Sequence, residues 1–428
     1  MQINPEAEEL NKIIKSNNPI LFEFLSEHGK IAFMPKEGIL AQSAQAKGKK
    51  YNATIGIAAE DDGTPMRLEC IASKVALNPM DVFPYSSSEG KQELRVEWKN
   101  QMLKKNPSLK AHVSTPIITT ALTHALSMIG MLFLNPNDTI ITHDLYWSNY
   151  KLIFGNAYDA KIQTYNTFKN NGLDISAMEE KLTGSGKKIL LLNFPNNPCG
   201  YSPTKEERKE IVNAIKRCAE KGSKILVILD DAYFGLAYEE NVEKESLFSY
   251  LADIHPNVVT IKADAATKED YVWGLRVGFL TYGWKGATSE AYKAIEDKTA
   301  SAIRANISMG SHVSQSLVLS ALKSPNYLKE KKEKFDLLKQ RYDEVKKALK
   351  NEKYANAFSP VPFNSGYFMC IKPKANAETV RLKLLEKYDT GVITHKDLLR
   401  ISFSSVPTKL IPQLFENIYL ACMESQNQ

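Results

Sequence analysis

The chain has 428 residues, 43% of them hydrophobic, which is enough for one large domain with a smaller companion and excludes a disordered protein. Its 55 basic and 49 acidic residues leave a net charge of +6 and are scattered along the sequence, so nucleic-acid binding is not indicated. The cysteines form no Cys-x-x-Cys pair, which argues against a zinc site and a disulfide framework and favours a reducing compartment: Cys70, Cys199, Cys218, Cys370 and Cys422.

The first residues, 1–27, do not resemble a signal peptide, and no uncharged run reaches about 18 residues, so we expect a soluble cytoplasmic protein. Apolar residues between positions 6 and 25 recur at roughly helical spacing and predict a docking helix. The segment 47–65 is rich in Gly, Asn and Asp and is typical of loops around a short strand at 52–58.

Between residues 95 and 285, short apolar runs alternate with helical stretches such as 122–134 and 204–221. The predicted strands are 139–142, 162–165, 189–193, 225–229, 258–261 and 277–280. Such alternation predicts an α/β domain with a mostly parallel central sheet flanked by helices, in which ligands bind beyond the carboxyl ends of the strands. Polar residues just after these strands are therefore the candidates for a functional site.

Near Pro325 the pattern changes to a long charged helix with one apolar stripe that runs from Leu328 to Leu349. We expect this helix to lead into a smaller α+β domain. The predicted organisation is an N-terminal segment at 1–60 that packs with the small domain, a large domain at 61–325 and a small C-terminal domain at 326–428.

Lys268 follows the predicted strand 258–261, and Arg276 stands eight positions later. A lysine there can form an imine with an aldehyde cofactor, and a nearby guanidinium can hold the phosphate of that cofactor. A lone lysine after a strand is usually a solvated surface residue, and Lys262 is a competitor. Only Lys268 has the sequence Gly274-Leu275-Arg276-Val277-Gly278 at a fixed offset.

This stretch resembles the lysine signature of class I/II aminotransferases of the aspartate and aromatic type, which are pyridoxal 5'-phosphate (PLP) enzymes of fold type I. The resemblance implies that Lys268 carries the internal aldimine and shuttles the proton, and that Arg276 binds the PLP phosphate. It covers the chain from about Tyr85 to Arg400.

Two further motifs follow predicted strands. Asn196-Asn197-Pro198-Cys199-Gly200, on its own a turn with a helix cap, resembles the Asn-Pro-Thr-Gly motif of the family, with Cys where Thr is usual. It implies that Asn197 donates to the phenolic oxygen of PLP and borders the substrate. An acidic residue at a strand end, taken alone, usually belongs to a solvated loop or a helix cap. Here Asp230 and Tyr233 match the Asp-x-x-Tyr set of the family. Asp230 then pairs with the pyridine nitrogen, while Tyr233 binds the phenolic oxygen.

Aromatic and phosphate-binding elements resemble the family in the same order. Trp147 matches the first residue of its aromatic-x-x-Tyr element and would stack on the cofactor ring, with Tyr146 as the alternative. The turn with Ala121, Leu122 and Thr123 opens a helix and resembles the Gly-Ala-Thr phosphate turn. Ala265 stands where the family commonly has a phosphate-binding Ser, and Thr267 is the remaining hydroxyl.

Two residues near the ends of the resemblance concern the partner chain and the substrate. Tyr85 begins Tyr85-Ser86-Ser87-Ser88-Glu89-Gly90, otherwise an ordinary loop, which resembles an element whose Tyr reaches the PLP phosphate of the neighbouring subunit. This implies a homodimer with shared active sites. Arg400 lies in a strand-like run, where a buried arginine needs a carboxylate, and it resembles the arginine that binds the substrate α-carboxylate.

The predicted function is a PLP-dependent aminotransferase acting on an α-amino acid and a 2-oxo acid. A β-lyase on the same scaffold is the alternative enzyme, and a non-catalytic PLP-binding sensor is the alternative from another class. No nucleic acid, membrane or metal is expected. Dicarboxylate specificity requires a second arginine, and no motif marks one among Arg67, Arg95, Arg217, Arg304 and Arg341.

Overall fold

The computed structural model describes residues 3, 5–31, 33, 77–406 and 408–426. Its strands are β1 (Ile117–Thr120), β2 (Thr139–His143), β3 (Lys161–Tyr165), β4 (Phe168–Lys169), β5 (Gly172–Leu173), β6 (Gly186–Asn193), β7 (Ser223–Asp230), β8 (Val258–Ala265), β9 (Val277–Trp284), β10 (Phe358–Pro360), β11 (Met369–Pro373), β12 (Ile393–His395) and β13 (Leu398–Ile401). The predicted strand at 52–58 and Arg67 lie outside the described residues.

The helices that pack around these strands vary from one turn to 22 residues. They are α1 (Pro5–Asn17), α2 (Pro19–Phe24), α3 (Glu27–Ile31), α4 (Pro79–Val82), α5 (Gln92–Lys105), α6 (Ala121–Phe133), α7 (Ile175–Leu182), α8 (Lys205–Glu220), α9 (Phe248–Leu251), α10 (Ala266–Glu269), α11 (Ser289–Ile307), α12 (His312–Lys323), α13 (Tyr327–Ala348), α14 (Ala377–Tyr388) and α15 (Ile411–Gln426). None of those described is both long and apolar enough to span a bilayer.

The large sheet has seven strands in the order β1, β9, β8, β7, β6, β2, β3. The strands from β3 to β8 in this order are parallel, whereas β9 is antiparallel to both β8 and β1. The carboxyl ends of β1, β2, β6, β7 and β8 therefore lie at the same end of the sheet as the first residue of β9. We call this the carboxyl end of the sheet, and it is the end at which α/β folds bind ligands.

Both faces of the sheet are covered, which explains why its central strands are almost continuously apolar. Ile189 and Leu191 of β6 pack in one cluster with α6 and α11, while Leu190 and Leu192 pack with α7, α8 and α9 on the other face. A residue that follows a central strand is consequently held between two packed layers.

A second sheet of four strands, in the order β10, β11, β13, β12, is antiparallel and packs with α14 and α15. The long helix α13 joins the two sheets, as the sequence predicted. Of its predicted apolar stripe, Leu338, Tyr342 and Val345 are buried, but Leu328 is 73% exposed.

The predicted N-terminal helix is two helices. Asn18 interrupts it, and the side chain of Asn18 accepts a hydrogen bond from the backbone of Leu21 while Pro19 begins α2. Asn17 bonds to Trp284 and Gly286, and Ser26 bonds to the Met131 carbonyl of α6. Residues 5–31 therefore pack against the large sheet and its helices.

The six predicted strands of the large sheet are present, each of them longer than predicted, and helix α8 begins one residue after its cap, Thr204. Sequence patterns missed β1. Its four residues are too few to display a periodicity, and its pairing with β9 depends on residues far along the chain.

Candidate active site

A cavity of about 280 Å³ lies at the carboxyl end of the sheet. It is lined by Ala121, Leu122, Thr123, Trp147, Asn193, Asn197, Asp230, Ala232, Tyr233, Ala265, Thr267, Lys268 and Arg276. Every sequence-predicted site residue is in this lining except Tyr85 and Arg400. The strand register brings these segments together, since it pairs Asn193 with Asp230, and Gly278 with both Ala265 and Thr119.

Lys268 extends into the cavity from the single helical turn α10. Its Nζ lies 4.7 Å from the ring centroid of Tyr233, and its carbonyl accepts a hydrogen bond of 3.1 Å from the hydroxyl of Tyr367. Burial lowers the pKa of Lys268, the charge of Arg276 lowers it further, and Asp230 opposes both. A lowered pKa favours the neutral amine, which is the nucleophilic form.

The competing lysine, Lys262, is buried inside β8 and does not line the cavity. Its Nζ lies 2.6 Å from Oδ2 of Asp264 and 3.0 Å from Oδ2 of Asp231. Asp231 also accepts a hydrogen bond from Ser246. Asp230 and Asp231 thus point in opposite directions, as strand alternation predicted, and Lys262 belongs to a structural ion cluster.

Asp230 is fully buried at the end of β7. Burial raises its pKa from 3.8 to about 6, although a hydrogen bond from Tyr150 and the charge of Lys268 oppose the rise. The Tyr150 hydroxyl lies 2.5 Å from Oδ2, and the backbone N–H of Ala232 lies 3.1 Å from Oδ1. The sequence analysis gave Tyr150 no role. Its position three residues after Trp147 was the available signal.

Asn197 and Arg400 meet between the two sheets. Nη1 of Arg400 donates to Oδ1 of Asn197 at 3.0 Å, which leaves Nδ2 of Asn197 to donate to a ligand in the cavity. The guanidinium carbon of Arg400 lies 4.4 Å from the centroid of the Phe368 ring, and Nε of Arg400 is buried without a hydrogen-bond partner among the described residues. A planar donor with unused N–H groups suits a carboxylate.

Asn193, the last residue of β6, connects two site residues. Its Nδ2 donates to the Asp230 carbonyl at 2.8 Å, and its Oδ1 accepts from the backbone N–H of Asn197 at 2.8 Å. This last residue of β6 therefore fixes the distance between the segments that carry Asp230 and Asn197.

The opposite part of the cavity suits an anion. The turn that begins α6 places Ala121 at φ +60°, and the free N–H groups of the helix N-terminus are next to Thr123. The hydroxyl of Thr267 is buried without a hydrogen-bond partner in the described part of the chain. Arg276, also left-handed at φ +55°, lines the same wall.

Gly278, two residues after Arg276, lies at a position with no room for a side chain. A Cβ at this position would lie 2.6 Å from the carbonyl carbon of Ala121. The backbone of β9 can therefore approach the turn at the start of α6 only because Gly278 has no side chain.

Of the two aromatic candidates, Trp147 lines the cavity and Tyr146 does not. Trp147 lines the cavity and contacts Tyr150 edge to face at a centroid distance of 5.6 Å. Tyr146 is buried, stacks on Tyr150 at 6.2 Å and does not line the cavity. The position of Trp147 suits a residue that contacts a flat ring bound beside Asp230.

Tyr85 is 66% exposed and does not reach the cavity of its own chain. Hydrogen bonds hold the loop that carries Tyr85: Ser86 bonds to His312, and Ser88 bonds to the carbonyl of Ser308. The tyrosine side chain is thus presented to the outside of the subunit.

Three of the candidate second arginines have structural partners. Arg95 pairs with Glu296 at 2.8 Å, Arg217 pairs with Glu179 at 2.6 Å, and Arg341 donates to the carbonyl of Ser404. Arg304 is exposed and donates to Ser308 at 3.3 Å.

The residues present fit PLP. The cavity lining includes an acid, a lysine and a tyrosine, together with three features that suit an anion: a helix N-terminus, a buried unsatisfied hydroxyl and an arginine. Asp230 would hold the ring nitrogen, Asn197 and Tyr233 the phenolic oxygen, and Thr123, Thr267 and Arg276 the phosphate. Bound there, PLP would supply an electron-withdrawing ring and an aldehyde that reacts with amines.

Comparison with known proteins identifies the family. A family model described as aminotransferase class I and II matches residues 51–418. A probable N-acetyl-LL-diaminopimelate aminotransferase from Bacillus subtilis is 28% identical over 271 residues, which cover 63% of this chain and 62% of that protein. An aspartate aminotransferase from Sulfurisphaera tokodaii is 27% identical over 341 residues, which cover 75% of this chain and 78% of that protein.

Solved structures share the fold. An aminotransferase from Anaerococcus prevotii superimposes with a TM-score of 0.71 at 23% identity, covering 91% of this chain and 98% of that chain. An α-aminoadipate aminotransferase from Thermus thermophilus, complexed with N-(5'-phosphopyridoxyl)-L-leucine, has a TM-score of 0.64 at 20% identity, with 92% and 90% covered. The predicted α/β fold of type I is confirmed. Because the family model matches well over half of the chain, the chain belongs to the aminotransferase class I and II family, whose chemistry is transamination with pyridoxal 5'-phosphate.

Proposed function

We propose that the protein transfers the amino group of an α-amino acid to a 2-oxo acid, with Lys268 as the catalytic lysine. The observation that carries this proposal is the shared cavity of Lys268, Asp230 and Arg276, which joins a nucleophilic amine, a ring-nitrogen partner and an anion site. The aminotransferase names of the relatives support it.

Each residue has a defined task in this proposal. Arg400 binds the α-carboxylate of the substrate and thereby points the α-carbon at Lys268. Nζ of Lys268 would accept the α-proton and hold it for return, a role that burial favours by lowering the pKa of this amine. Asp230 would hold the ring nitrogen of the cofactor, and Tyr233 would hold its phenolic oxygen.

The test is a panel of amino donors with 2-oxoglutarate as acceptor, run with wild-type protein and Lys268→Ala. Lys285→Ala, which removes an exposed lysine after β9, is the matched control. We expect keto acid and glutamate in equal amounts from the wild type and from the control, and none from Lys268→Ala. Ammonia released without an acceptor would establish the β-lyase instead, and full turnover by Lys268→Ala would contradict both.

We also propose a homodimer in which Tyr85 of each subunit completes the cavity of the other. Its 66% exposure beside a firmly held loop supports this arrangement. Hybrid dimers of one Lys268→Ala subunit and one Tyr85→Ala subunit test it. If the sites are shared, the Tyr85→Ala subunit keeps its own Lys268 and receives the native Tyr85 of the other subunit, so one of the two sites is intact. We expect these hybrids to be more active than either parent dimer. The control for subunit exchange is a hybrid of Lys268→Ala and Leu328→Ala subunits. No gain on hybrid formation would contradict the shared site.

The proposed division of labour follows the two sheets. In this proposal, the described residues 77–325 bind the cofactor, and the described residues from 326 onward deliver Arg400. A reducing compartment such as the cytoplasm is in keeping with four free thiols in the described part of the chain, all buried: Cys199, Cys218, Cys370 and Cys422.

A further inference from the structure

The two residues after Lys268 are acidic and almost completely buried. The side chains of Glu269 and Asp270 are 3% and 7% exposed. Lys331 of α13 places Nζ 2.8 Å from Glu269 and 3.0 Å from Asp270, and Lys105 of α5 pairs with Glu269 as well. Tyr327 donates to Asp270 at 2.6 Å. We call these five residues the anchor cluster.

The cluster is electrically balanced, with two ammonium groups and two carboxylates. Burial alone would raise the pKa of Glu269, but Lys105 and Lys331 outweigh it and hold that pKa well below its usual range. Burial would likewise lower the pKa of Lys331, and Glu269 and Asp270 raise it instead. Each partner therefore depends on the others to stay charged out of water.

The anchor cluster influences where the Lys268 side chain lies and does not shift its pKa. The charges that shift the pKa of Lys268 are those of Asp230 and Arg276, and none belongs to the cluster. The helix that carries Lys268 has one turn, Ala266–Glu269, and one turn cannot sustain its own conformation in isolation. Glu269 closes that turn and is bound to two other helices.

Helix α13 extends this connection to the small sheet. Arg341 stands ten residues after Lys331 and donates to the carbonyl of Ser404, just after the strand that carries Arg400. Ten residues of α-helix span about 15 Å. One rigid helix thus contacts both the turn of Lys268 and the segment that follows Arg400.

We propose that Glu269 and Lys331 are positioning residues that hold Nζ of Lys268 where it can bond to the aldehyde of PLP. The inference rests on the proposed function, because it assigns Lys268 that bond. The amine attacks the aldehyde carbon, a carbon–nitrogen double bond forms, and the aldehyde oxygen leaves as water.

The test separates bound cofactor from covalently attached cofactor. PLP-free protein is mixed with PLP, borohydride fixes the carbon–nitrogen bond at timed intervals, and mass spectrometry locates the label. Total bound PLP is measured on parallel samples. We expect Lys331→Met to bind PLP but to attach it to Lys268 roughly 10- to 100-fold more slowly, because a small misplacement of a reacting group slows a reaction by about this factor. Lys331→Arg should restore most of the rate.

Lys332→Met is the matched control, because the Lys332 side chain is 73% exposed and pairs with Asp336 one turn further on, with no ion pair to another helix among the described residues. Tyr327→Phe is a milder variant for the case in which Lys331→Met does not fold: it removes the hydroxyl that donates to Asp270 and accepts from Lys331, and it should slow attachment about fivefold. If Lys331→Met folds and attaches PLP at the wild-type rate, the inference is overturned. If Lys331→Met does not fold, a wild-type attachment rate in Tyr327→Phe overturns it instead. No label on Lys268 in wild-type protein would overturn the proposed function itself.

Discussion

The hydroxyl of Tyr150 lies 2.5 Å from Oδ2 of Asp230, and both side chains are fully buried. Burial raises the pKa of each group, since both would become charged in a region without water. Tyr150 therefore stays a neutral donor, and its hydrogen bond favours the carboxylate form of Asp230. Asp230, the proposed partner of the ring nitrogen, is thus held by a residue that does not line the cavity.

Tyr150→Phe removes that donor while keeping the aromatic packing. We expect kcat to fall roughly tenfold, because a buried hydrogen bond to a charged group contributes about 1.5 to 3 kcal/mol. KM should change little, since Arg400 is untouched. The measurement is steady-state kinetics on the best donor, with Tyr146→Phe as control because Tyr146 stacks on Tyr150 outside the cavity. Equal kcat in the two variants would contradict the role given to Tyr150.

Asp230→Asn should make the stability of PLP-free protein less dependent on pH. The pKa of Asp230 is raised from 3.8 to about 6, so its favourable contribution is complete below 3.8 and is lost as the pH rises through 6. Between about pH 5 and pH 8, the free energy of unfolding of the wild type should fall by about 1 to 2 kcal/mol relative to the variant. Urea unfolding at both pH values measures this difference, and parallel pH curves would refute the prediction.

Arg400→Lys should weaken substrate binding without affecting PLP binding. Lysine cannot offer two parallel N–H groups to a carboxylate, and it cannot stack flat on Phe368. We expect the KM of both the amino acid and the 2-oxo acid to rise by about two orders of magnitude, since both carry an α-carboxylate. Lys372→Met removes an exposed cation from the same small sheet and should leave both KM values unchanged. A change confined to kcat would contradict a role in binding.

Gly278→Ala should displace the turn that begins α6. The added Cβ would lie 2.6 Å from the Ala121 carbonyl carbon, and both groups are backbone-linked and unable to rotate away. We expect a loss of about 1 to 3 kcal/mol in stability and weaker PLP binding. Gly274→Ala is the control, because a Cβ there meets no atom within 4 Å. Thermal melting with and without PLP measures both effects, and identical melting of the two variants would exclude the clash.

Sequence patterns located the site where polar residues directly follow apolar strands. Asn197, Asp230 and Lys268 all stand within four residues of a strand end, so local spacing and motif resemblance sufficed to predict that they share one cavity. Tyr150 and Asn193 were missed because their roles depend on which side chains meet across the sheet, and one sequence contains no record of that pairing. Tyr85 could be assigned only through resemblance, since its own chain does not explain its exposure.

The same distinction applies to the fold. Strands of five or more residues in the large sheet were predicted from their apolar runs, whereas β1 was not, because four residues that pair with β9 carry too little local signal. The break before Pro19 was overlooked because the apolar spacing continues across it.

The pairing of β1 with β9 also dictates when the cofactor site can arise during biosynthesis. Thr119 and Gly278 are opposite each other in the sheet, yet all the other strands of the sheet are synthesised between them. A ribosome must release the chain through Trp284 before the α6 turn and Arg276 can become neighbours. A nascent chain that ends before β9 would therefore lack the strand that brings the α6 turn close to Arg276, and we expect PLP to stabilise this protein only after the whole large sheet has been made.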